Sequence, residues 1–468
     1  MNKLAKSPFV VSVEWLADRL GKPDVVVVDG SWYLPDANRN GKAEYVEAHI
    51  PGAVFFDIDA IADTASGLPH MLPAPEDFAR VAGAMGIADT DTIVIYDGAG
   101  LFSAARVWWT FRTFGAQNVF ILDGGMPAWK AGGFAVSKGI ERPKKKQFTA
   151  KLQAHSVVSK PQMFEAVASG KTAIADARPE GRFVGTVPEP RPGLRGGHMP
   201  GASSVPIGLL VENGMLKSPA EIEAVFRNQR LDLTGDVVTT CGSGVTAAVL
   251  SLALESIGHK DHALYDGSWA EWGQHGSDTP VVLGPASIAA SANKPRRFLK
   301  AHITELEMGS RPTQRAPLPI GKSRISLVRT GGMAPSFYRY LYEQVGKAHH
   351  WFIRRALNDE QLGAFLGSEK AEIWVLSVDG CPAGFFEIDL SVLPKTADIQ
   401  YFGLIDHYRG KGLAKFMLSE AVHAAWDRNP EKVTIQTNTL DSPKALILYQ
   451  KAGFEPVGAY DEMIEAWD

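Results

Sequence analysis

The chain repeats itself, and this internal repeat restricts its fold more than any other feature. The segment HIPGAVFFDID, which begins at His49, returns as HMPGASSVPIG from His198. DTIVIYDGAGLFSAARVWW resembles GDVVTTCGSGVTAAVLSLA, and LDGGMPAW, which ends at Trp129, resembles YDGSWAEW, which ends at Trp272. Two similar units of nearly equal length therefore fill the first part of the chain.

Each unit alternates short β-rich runs with helical segments. VVVVDG, TIVIYDG and VFILDGG belong to the first unit, and TAIADAR and VVTTCG belong to the second. The helical segments include PEDFARVAGAMG and PAEIEAVFRNQ. This alternation predicts the α/β class, with two α/β/α domains of mainly parallel sheet at residues 1–145 and 146–285.

The pattern changes after about Val282. GPASIAASANKPRR is small, polar and rich in breakers, and it predicts a linker over residues 286–322. Residues 323–468 then read as an α+β domain with a mixed sheet. Two strands surround a D-G turn in AEIWVLSVDGCPAGFFEIDL, and ADIQYFGLI precedes a loop and an amphipathic helix in HYRGKGLAKFMLSEAVHAAW.

Composition narrows the environment and the partners. The formal net charge is −4, so neither nucleic acid nor an anionic membrane is an expected partner. Two cysteines form no disulfide framework, and no Cys/His cluster has the spacing of a zinc site, so no metal is expected. No long apolar segment marks a leader or a membrane span. These features predict a cytoplasmic protein.

One of the two cysteines follows a β-rich run. Cys241 precedes a Gly-Ser-Gly turn and a helical segment, at the place where the first unit carries Asp97. Gly242 and Gly244 allow the backbone to curl, so that successive N–H groups form an anion nest at a helix N-terminus. The alternative is a small cysteine buried at a strand end, which is the usual state of a free cysteine.

Two chemistries use a nucleophilic cysteine in such a loop. A cysteine-dependent phosphatase needs an arginine six residues after the cysteine, and here that residue is Ala247. Sulfur transfer needs a thiolate and a nest that holds a persulfide anion, which this loop can supply. The sequence therefore favours sulfur transfer over phosphate chemistry.

The two-unit region, at about residues 8–285, resembles the tandem rhodanese-family sulfurtransferases, with the nucleophile in the second unit alone. The similarity extends to HIPGAVFFDID, PHMLP and DARPEGRFVGTVPEPRPGLRGGHMPGA. The loop CGSGVT matches the 3-mercaptopyruvate branch of the family. The thiosulfate branch has basic residues after the cysteine, where this chain has Gly242 and Ser243.

This resemblance implies roles for particular residues. Arg182 and Arg191 would clamp a substrate carboxylate, since guanidinium groups bind carboxylates in bidentate fashion. Ser243, His70 and Asp59 would form a proton relay. The loop residues implied to bind substrate beside Cys241 are Gly242, Gly244, Val245 and Thr246.

The implied reaction has two halves. Cys241 takes sulfur from 3-mercaptopyruvate to give a persulfide and pyruvate. Cyanide, a small thiol or a reduced dithiol protein such as thioredoxin then accepts the outer sulfur.

The last part of the chain, about 325–468, resembles the GNAT acetyltransferases. HYRGKGLA supplies their Q-x-R-G-x-G/A signature with His407 in place of Gln or Arg. The pattern A-x-x-x-Y-x-K-x-G-F is complete, and Ser442 stands where the family has Asn. Its five positions are Ala445, Tyr449, Lys451, Gly453 and Phe454.

The GNAT resemblance implies acetyl-CoA as co-substrate and Tyr449 as the acid that protonates the leaving thiolate. Glu387 and Asp398 are candidate bases, each expected more often as a strand surface charge, and Cys381 is expected to be structural. The amine acceptor is not identifiable from the sequence. The residues implied to bind acetyl-CoA are Leu404, Arg409, Gly410, Lys411, Gly412, Leu413 and Ala414.

Two functions follow. The first is a bifunctional enzyme, a 3-mercaptopyruvate sulfurtransferase fused to an N-acetyltransferase. The second is a thiosulfate sulfurtransferase whose GNAT unit binds acyl-CoA without turnover and regulates sulfur transfer. An intact Cys241, an intact Tyr449 and a complete phosphate-binding loop favour the first.

Overall fold

The computed structural model describes residues 7–286, 295–319 and 323–467, apart from the side chain of Ala356. The described residues form two compact units. The first contains residues 7–274, and the second contains residues 275–286 together with the described chain from Arg296 onwards. The first unit holds both copies of the repeat.

The first copy contains a five-stranded sheet in the order β1-β5-β4-β2-β3. All of its strand pairs are parallel. The strands are β1 (Val10–Val11), β2 (Val25–Asp29), β3 (Val54–Phe55), β4 (Thr92–Tyr96) and β5 (Val119–Leu122). The helices are α1 (Val13–Ala17), α2 (Gly41–Glu47), α3 (Pro75–Ala84), α4 (Ala104–Thr113) and α5 (Gly125–Ala131).

The second copy contains a sheet of the same design, in the order β6-β12-β11-β7-β8, again with parallel pairs. A separate antiparallel hairpin, β9-β10, accompanies it. The strands are β6 (Val157–Val158), β7 (Ala173–Asp176), β8 (Ala202–Ser204), β9 (Val211–Glu212), β10 (Met215–Leu216), β11 (Val237–Thr240) and β12 (His262–Tyr265). The helices are α6 (Lys160–Ser169), α7 (Glu180–Phe183), α8 (Pro219–Asn228), α9 (Ala247–Ser256) and α10 (Ser268–Trp272).

The matching strand orders confirm the repeat. β4 ends just before Asp97 and β11 ends just before Cys241, so the two loops occupy equivalent positions. The two copies also share one hydrophobic core. Helices α4 and α9 pack together, with Trp108 and Phe111 of one helix in the same buried cluster as Leu250 of the other. Burial of this apolar surface joins the copies into a single body.

The second unit contains a seven-stranded mixed sheet in the order β14-β15-β16-β17-β18-β13-β19, in which only the β17–β18 pair is parallel. One face packs on α13 and α14, and the other packs on α11 and α12. The strands are β13 (Phe298–Met308), β14 (Ile325–Arg329), β15 (Ala371–Val378), β16 (Cys381–Asp389), β17 (Thr396–Leu404), β18 (Lys432–Asn438) and β19 (Glu455–Glu465). The helices are α11 (Pro335–Gly346), α12 (Asp359–Leu366), α13 (Leu413–Trp426) and α14 (Ala445–Lys451).

The predicted fold class is confirmed, but the predicted linker over 286–322 is wrong at its centre. Residues 298–308 form β13, which pairs with β18 on one side and with β19 on the other. A shift of register between Glu305 and Leu306 interrupts the two-residue alternation of apolar side chains that identifies a strand. Residues 287–294 and 320–322 of the predicted linker lie outside the described residues.

None of the helices within residues 7–286, 295–319 and 323–467 has the length and apolar character that crossing a membrane requires.

The histidine that opens each repeated HIPGA/HMPGA segment is buried. His49 Nδ1 lies 2.8 Å from the Tyr45 carbonyl, and His198 Nδ1 lies 2.9 Å from the Phe183 carbonyl. The imidazole of His198 also stacks on the Phe183 ring, with centroids 3.8 Å apart. Burial lowers the pKa of His198 from 6.5 to about 4.

We expect His198 to lower the free energy of unfolding as the pH falls from 7 to 4.5. The unfolded chain gains the proton near pH 6.5 and the folded chain near pH 4, so acid favours unfolding across this window. The loss from His198 at pH 4.5 is about 2.5 kcal/mol. Urea denaturation of the His198→Asn variant should show a pH dependence smaller by that amount. An equal pH dependence in both proteins would contradict the assignment.

Candidate active sites

The candidate sulfur-transfer site is built around the end of β11. Cys241 is 2% exposed, and its carbonyl accepts a hydrogen bond of 2.9 Å from the N–H of Trp269. Its own N–H donates to Ser268 Oγ at 3.3 Å. Ser268 has a left-handed φ of 49°, at the place where the first copy has Gly125 with φ 53°. A serine accepts this backbone conformation here and holds the cysteine peptide with its hydroxyl.

The loop after β4 in the first copy corresponds to the Cys241 loop in the second copy, and it binds an anion of its own. In the first copy, Asp97 Oδ1 accepts from the N–H of Ala99 at 2.8 Å. Asp97 Oδ2 accepts from the N–H groups of Phe102, Ser103 and Ala104, at 2.8 to 2.9 Å. The loop before α4 is therefore an anion nest, and the carboxylate of Asp97 itself fills it.

The loop before α9 has the same origin and no such internal anion. Within residues 7–286, the N–H groups of 242–246 find no protein acceptor. These residues connect Cys241 to the N-terminal end of α9, where the helix dipole favours negative charge. This geometry suits a sulfur anion carried by Cys241.

The predicted relay residues lie in one hydrogen-bonded row. His70 Nδ1 is 3.0 Å from Ser243 Oγ, and His70 Nε2 is 2.9 Å from Asp59 Oδ1. Trp32 Nε1 donates to the other Asp59 oxygen at 3.0 Å. The hydrogen bond from His70 lowers the pKa of the Asp59 carboxyl, which therefore stays ionised and favours a proton on His70 Nε2. Nδ1, which also lies 3.3 Å from the Ser243 carbonyl, can then accept a hydrogen bond from the Ser243 hydroxyl.

The predicted carboxylate clamp also lies over the loop. A methyl group on Gly242 would be 3.0 Å from Arg182 Nη2 and 4.0 Å from Arg191 Nη1. Burial lowers the pKa of the Arg191 guanidinium, and the nearby Cys241 and Asp59 counteract this. Thus the structure brings both arginines, the relay and Cys241 together, although the relay comes from the first copy and the cysteine from the second.

Sequence reasoning missed the residues that orient the clamp. Arg182 Nε and Nη2 both donate to Glu189 Oε2, and Arg178 Nη1 donates to Glu189 Oε1 at 2.8 Å. Arg178 is 1% exposed, pairs with Asp176 at 2.7 Å and lies over the Trp269 ring. The presence of Glu189 among Arg178, Arg182 and Arg191 in the sequence was a usable signal, because a buried carboxylate needs a cationic partner, and here Arg178 and Arg182 supply it.

A second candidate site lies where β17 and β18 separate. These parallel strands pair only as far as Ile399 opposite Ile435, and both continue beyond that point. Each remains bonded to its outer neighbour, so a fork opens between them. Unpaired backbone groups along such a fork can bind the amide groups of an extended ligand.

The loop between β17 and α13 lies at the open end of this fork. Gly410 and Gly412 both have a φ of 77°, and Gly412 caps the N-terminus of the fourteen-residue α13. A methyl group on Gly410 would meet no atom within 4 Å. Arg409 Nη2 lies 2.9 Å from His349 Nε2, and Lys411 lies over the Tyr408 ring. The glycines and the helix N-terminus fit the pyrophosphate of a nucleotide ligand such as CoA.

Tyr449 of α14 lies beside the unpaired part of β17. Its ring faces Phe402 at a centroid distance of 6.1 Å, and it is 6% exposed. Burial raises the pKa of the Tyr449 hydroxyl, and the charge of Asp441 adds to this. The phenol therefore stays protonated at neutral pH, as a general acid requires.

The expectation of surface charges at the two candidate bases is wrong for Glu387. This residue is fully buried, accepts from Arg354 Nη2 at 2.6 Å and accepts from the Tyr338 hydroxyl. The sequence did not reveal its partners, which come from α11 and the segment after it. Asp398 is half-buried and accepts from Thr434 at 2.6 Å. Burial raises the pKa of Asp398 to about 6.

Three of the residues implied to bind acetyl-CoA contribute to the hydrophobic core of the domain. Leu404 and Leu413 are buried in the core beneath the loop, with Ala414 packed against it. Cys381, which we expected to be structural, is exposed at the start of β16.

The tandem parallel sheets and the strand-to-helix cysteine loop define a rhodanese-type protein, and sequence comparison agrees. A family model of the rhodanese-like domain matches residues 12–132 and 161–275, and a model of the GNAT acetyltransferase family matches residues 338–454. The chain belongs to the rhodanese family of sulfurtransferases and carries a C-terminal GNAT acetyltransferase domain.

Known relatives cover the first unit. The 3-mercaptopyruvate sulfurtransferase of Escherichia coli K12 is 42% identical over 272 residues, which is 58% of this chain and 96% of that protein. The human 3-mercaptopyruvate sulfurtransferase is 42% identical over 270 residues, 56% of this chain and 91% of that protein. An E. coli enzyme of this kind, solved by crystallography, matches with a TM-score of 0.53 and 39% identity, over 56% of this chain and 98% of its own.

A plant relative has a broader name. The mitochondrial thiosulfate/3-mercaptopyruvate sulfurtransferase 1 of Arabidopsis thaliana is 41% identical over 302 residues, 60% of this chain and 79% of that protein.

Proposed function

We propose that the protein moves sulfur from 3-mercaptopyruvate to a thiol or cyanide acceptor through a persulfide on Cys241, and that its GNAT domain acetylates an amine. One observation carries the first part. The loop of the first copy closes around the carboxylate of Asp97, whereas in the equivalent loop of the second copy the N–H groups of 242–246, next in sequence to a thiol, have no acceptor within residues 7–286. A nest that accepts a carboxylate in one copy can accept a persulfide anion in the other.

In the first half-reaction, the Cys241 thiolate attacks the sulfur of 3-mercaptopyruvate. An S–S bond forms, the carbon–sulfur bond breaks, and its electron pair leaves on the enolate of pyruvate. The relay of Ser243, His70 and Asp59 carries the proton of the donor thiol to the enolate carbon. The products are pyruvate and the persulfide anion of Cys241, with no change in total charge.

In the second half-reaction, an acceptor attacks the outer sulfur. The S–S bond breaks, and its electron pair returns to Cys241 as the thiolate. Cyanide would leave as thiocyanate. A small thiol, or a dithiol protein such as thioredoxin, would leave as its own persulfide. Anion stabilisation by the N–H groups of 242–246 favours Cys241 as the leaving group.

Arg182 and Arg191 would bind the carboxylate of the donor. Replacing Arg182 with methionine removes charge-assisted hydrogen bonds, and we expect the KM for 3-mercaptopyruvate to rise about thirtyfold. The measurement is pyruvate formation as a function of donor concentration, with cyanide in excess.

The repeat supplies a matched control for this substitution. Arg39 lies over Gly98 of the first loop much as Arg182 lies over Gly242, with 3.2 Å between its Nη2 and a methyl group placed on Gly98. Arg39→Met should leave the KM unchanged. Equal effects of the two substitutions, or faster transfer from thiosulfate than from 3-mercaptopyruvate in the unaltered protein, would overturn the proposed donor.

The second activity is supported by the fork between β17 and β18, the glycine loop before α13 and the protonated Tyr449. Acetyl-CoA, when bound, supplies an activated acetyl thioester. The loop from Arg409 to Ala414 would hold its pyrophosphate, and Tyr449 would give its proton to the departing thiolate. Release of CoA from acetyl-CoA in a panel of amines tests this activity and identifies the acceptor.

A further inference from the structure

A buried ion pair outside the proposed relay connects the two copies of the repeat. Arg106 belongs to α4 of the first copy, and Asp266 follows β12 of the second. Arg106 Nη1 is 2.7 Å from Asp266 Oδ1, and both side chains are 3% exposed. Burying two charges is costly unless each also satisfies neighbouring polar groups, so the further contacts of this pair reveal its role.

Arg106 contacts the backbone on both sides of the candidate site. Its Nη2 donates to the carbonyl of His70, whose imidazole belongs to the relay. Its Nη1 lies 3.4 Å from the carbonyl of Gly244 in the cysteine loop. Gly244 has a φ of 78°, and a methyl group on it would lie 2.7 Å from Arg106 Nη1. The loop therefore needs a glycine here both for its backbone conformation and for the close approach of the arginine.

Asp266 completes the connection from the other side. Its Oδ2 accepts from the N–H of Leu72 at 2.7 Å, two residues after His70. His70 itself has a left-handed φ of 62°, a conformation that a non-glycine residue keeps only when its surroundings impose it. The chain just after Asp266 holds Cys241, through the Ser268 hydroxyl and the Trp269 N–H.

We propose that Arg106 and Asp266 are positioning residues for sulfur transfer, which together fix the His70 turn relative to the Cys241 loop. The arginine holds the carbonyl at one end of the turn, and the aspartate holds the N–H at the other. Their ion pair thereby sets the 3.0 Å distance between His70 Nδ1 and Ser243 Oγ. This inference rests on the proposed relay and adds two residues that do not touch the substrate.

The same helix offers a control for a merely structural contribution. Arg112 Nη2 forms an ion pair of 2.7 Å with Glu255 of α9, so it also links the two copies. This second pair contacts neither His70 nor the loop from Cys241 to Thr246. Its loss should affect stability without affecting the relay.

The test compares Arg106→Met, Arg112→Met and the double variant Arg106→Met/Asp266→Asn in the full chain. The double variant removes both charges, so that no unpaired buried charge prevents folding. Because a displacement of about 1 Å in catalytic geometry can cost about a hundredfold, we expect kcat for pyruvate formation to fall about a hundredfold in both Arg106 variants. The KM for 3-mercaptopyruvate should stay within about threefold, since Arg182 and Arg191 are unchanged. Arg112→Met should keep the unaltered kcat.

A double-mutant cycle with His70→Ala then distinguishes positioning from general damage. If Arg106 acts through His70, adding Arg106→Met to His70→Ala causes little further loss of kcat. Losses that multiply, or equal rates for Arg106→Met and Arg112→Met, would overturn the inference. Failure of the unaltered protein to form pyruvate would instead refute the proposed function, so the two failures are distinguishable.

Discussion

Replacing Cys241 with serine is expected to lower pyruvate formation from 3-mercaptopyruvate by about a thousandfold or more. The hydroxyl keeps the size of the thiol but is a poor nucleophile for sulfur at neutral pH, and the loss of a catalytic nucleophile has an effect of at least this size. Intact-mass measurement after incubation with the donor should show a gain of about 32 Da, the mass of one sulfur atom, in the unaltered protein and none in Cys241→Ser.

The second cysteine is the control for this substitution. Cys381 is exposed at the start of β16, in the other compact unit. Cys381→Ser should keep both the rate of pyruvate formation and the gain in mass. Pyruvate formation that survives in Cys241→Ser and disappears in Cys381→Ser would refute the assignment of the nucleophile.

The second large effect concerns the GNAT domain. Tyr449→Phe is expected to lower kcat for acetyl transfer by about a hundredfold or more, because general acid catalysis contributes a factor of at least this size. The affinity for CoA should change less than about twofold, since the phenyl ring still packs against Phe402. Release of CoA in the presence of an accepted amine gives kcat, and calorimetric titration with CoA gives the affinity.

Tyr340 supplies the matched variant for this experiment. It lies exposed on α11, so Tyr340→Phe removes a hydroxyl without affecting the fork between β17 and β18. We expect full activity from it. Undiminished turnover in Tyr449→Phe would refute its role as the acid. Tight CoA binding by the unaltered protein, without turnover of any amine, would favour the alternative that the domain is a regulatory module.

The fold was predictable where local patterns agree with the global structure. The internal repeat predicted two sheets with the same topology, and the strand orders of the two copies match each other. The prediction failed at β13, because the register shift beside Glu305 breaks the alternation and because small polar residues precede the strand. A strand whose partners lie more than a hundred residues away also leaves little local signal, since tertiary pairing rather than propensity forms it.

The sequence predicted the residues expected to act on the substrate but not the residues that support them. Family motifs pointed to Cys241, the relay and the two arginines, and the structure places these residues together. The supporting residues carry no motif of their own. Arg106 was visible only as a charge within the apolar segment AARVWWTF, and Asp266 as part of a repeated D-G dipeptide. Their pairing across the two copies depends on how the copies pack, which a sequence pattern does not encode.

The position of β13 has a consequence for how the chain is made. This strand lies between β18 and β19, and Phe298 pairs with Glu465 near the end of the chain. A ribosome therefore releases β13 long before either of its partners exists. The sheet of the GNAT domain closes only after β19 has been made, whereas the sulfurtransferase unit can fold while β18 and β19 are still to be synthesised.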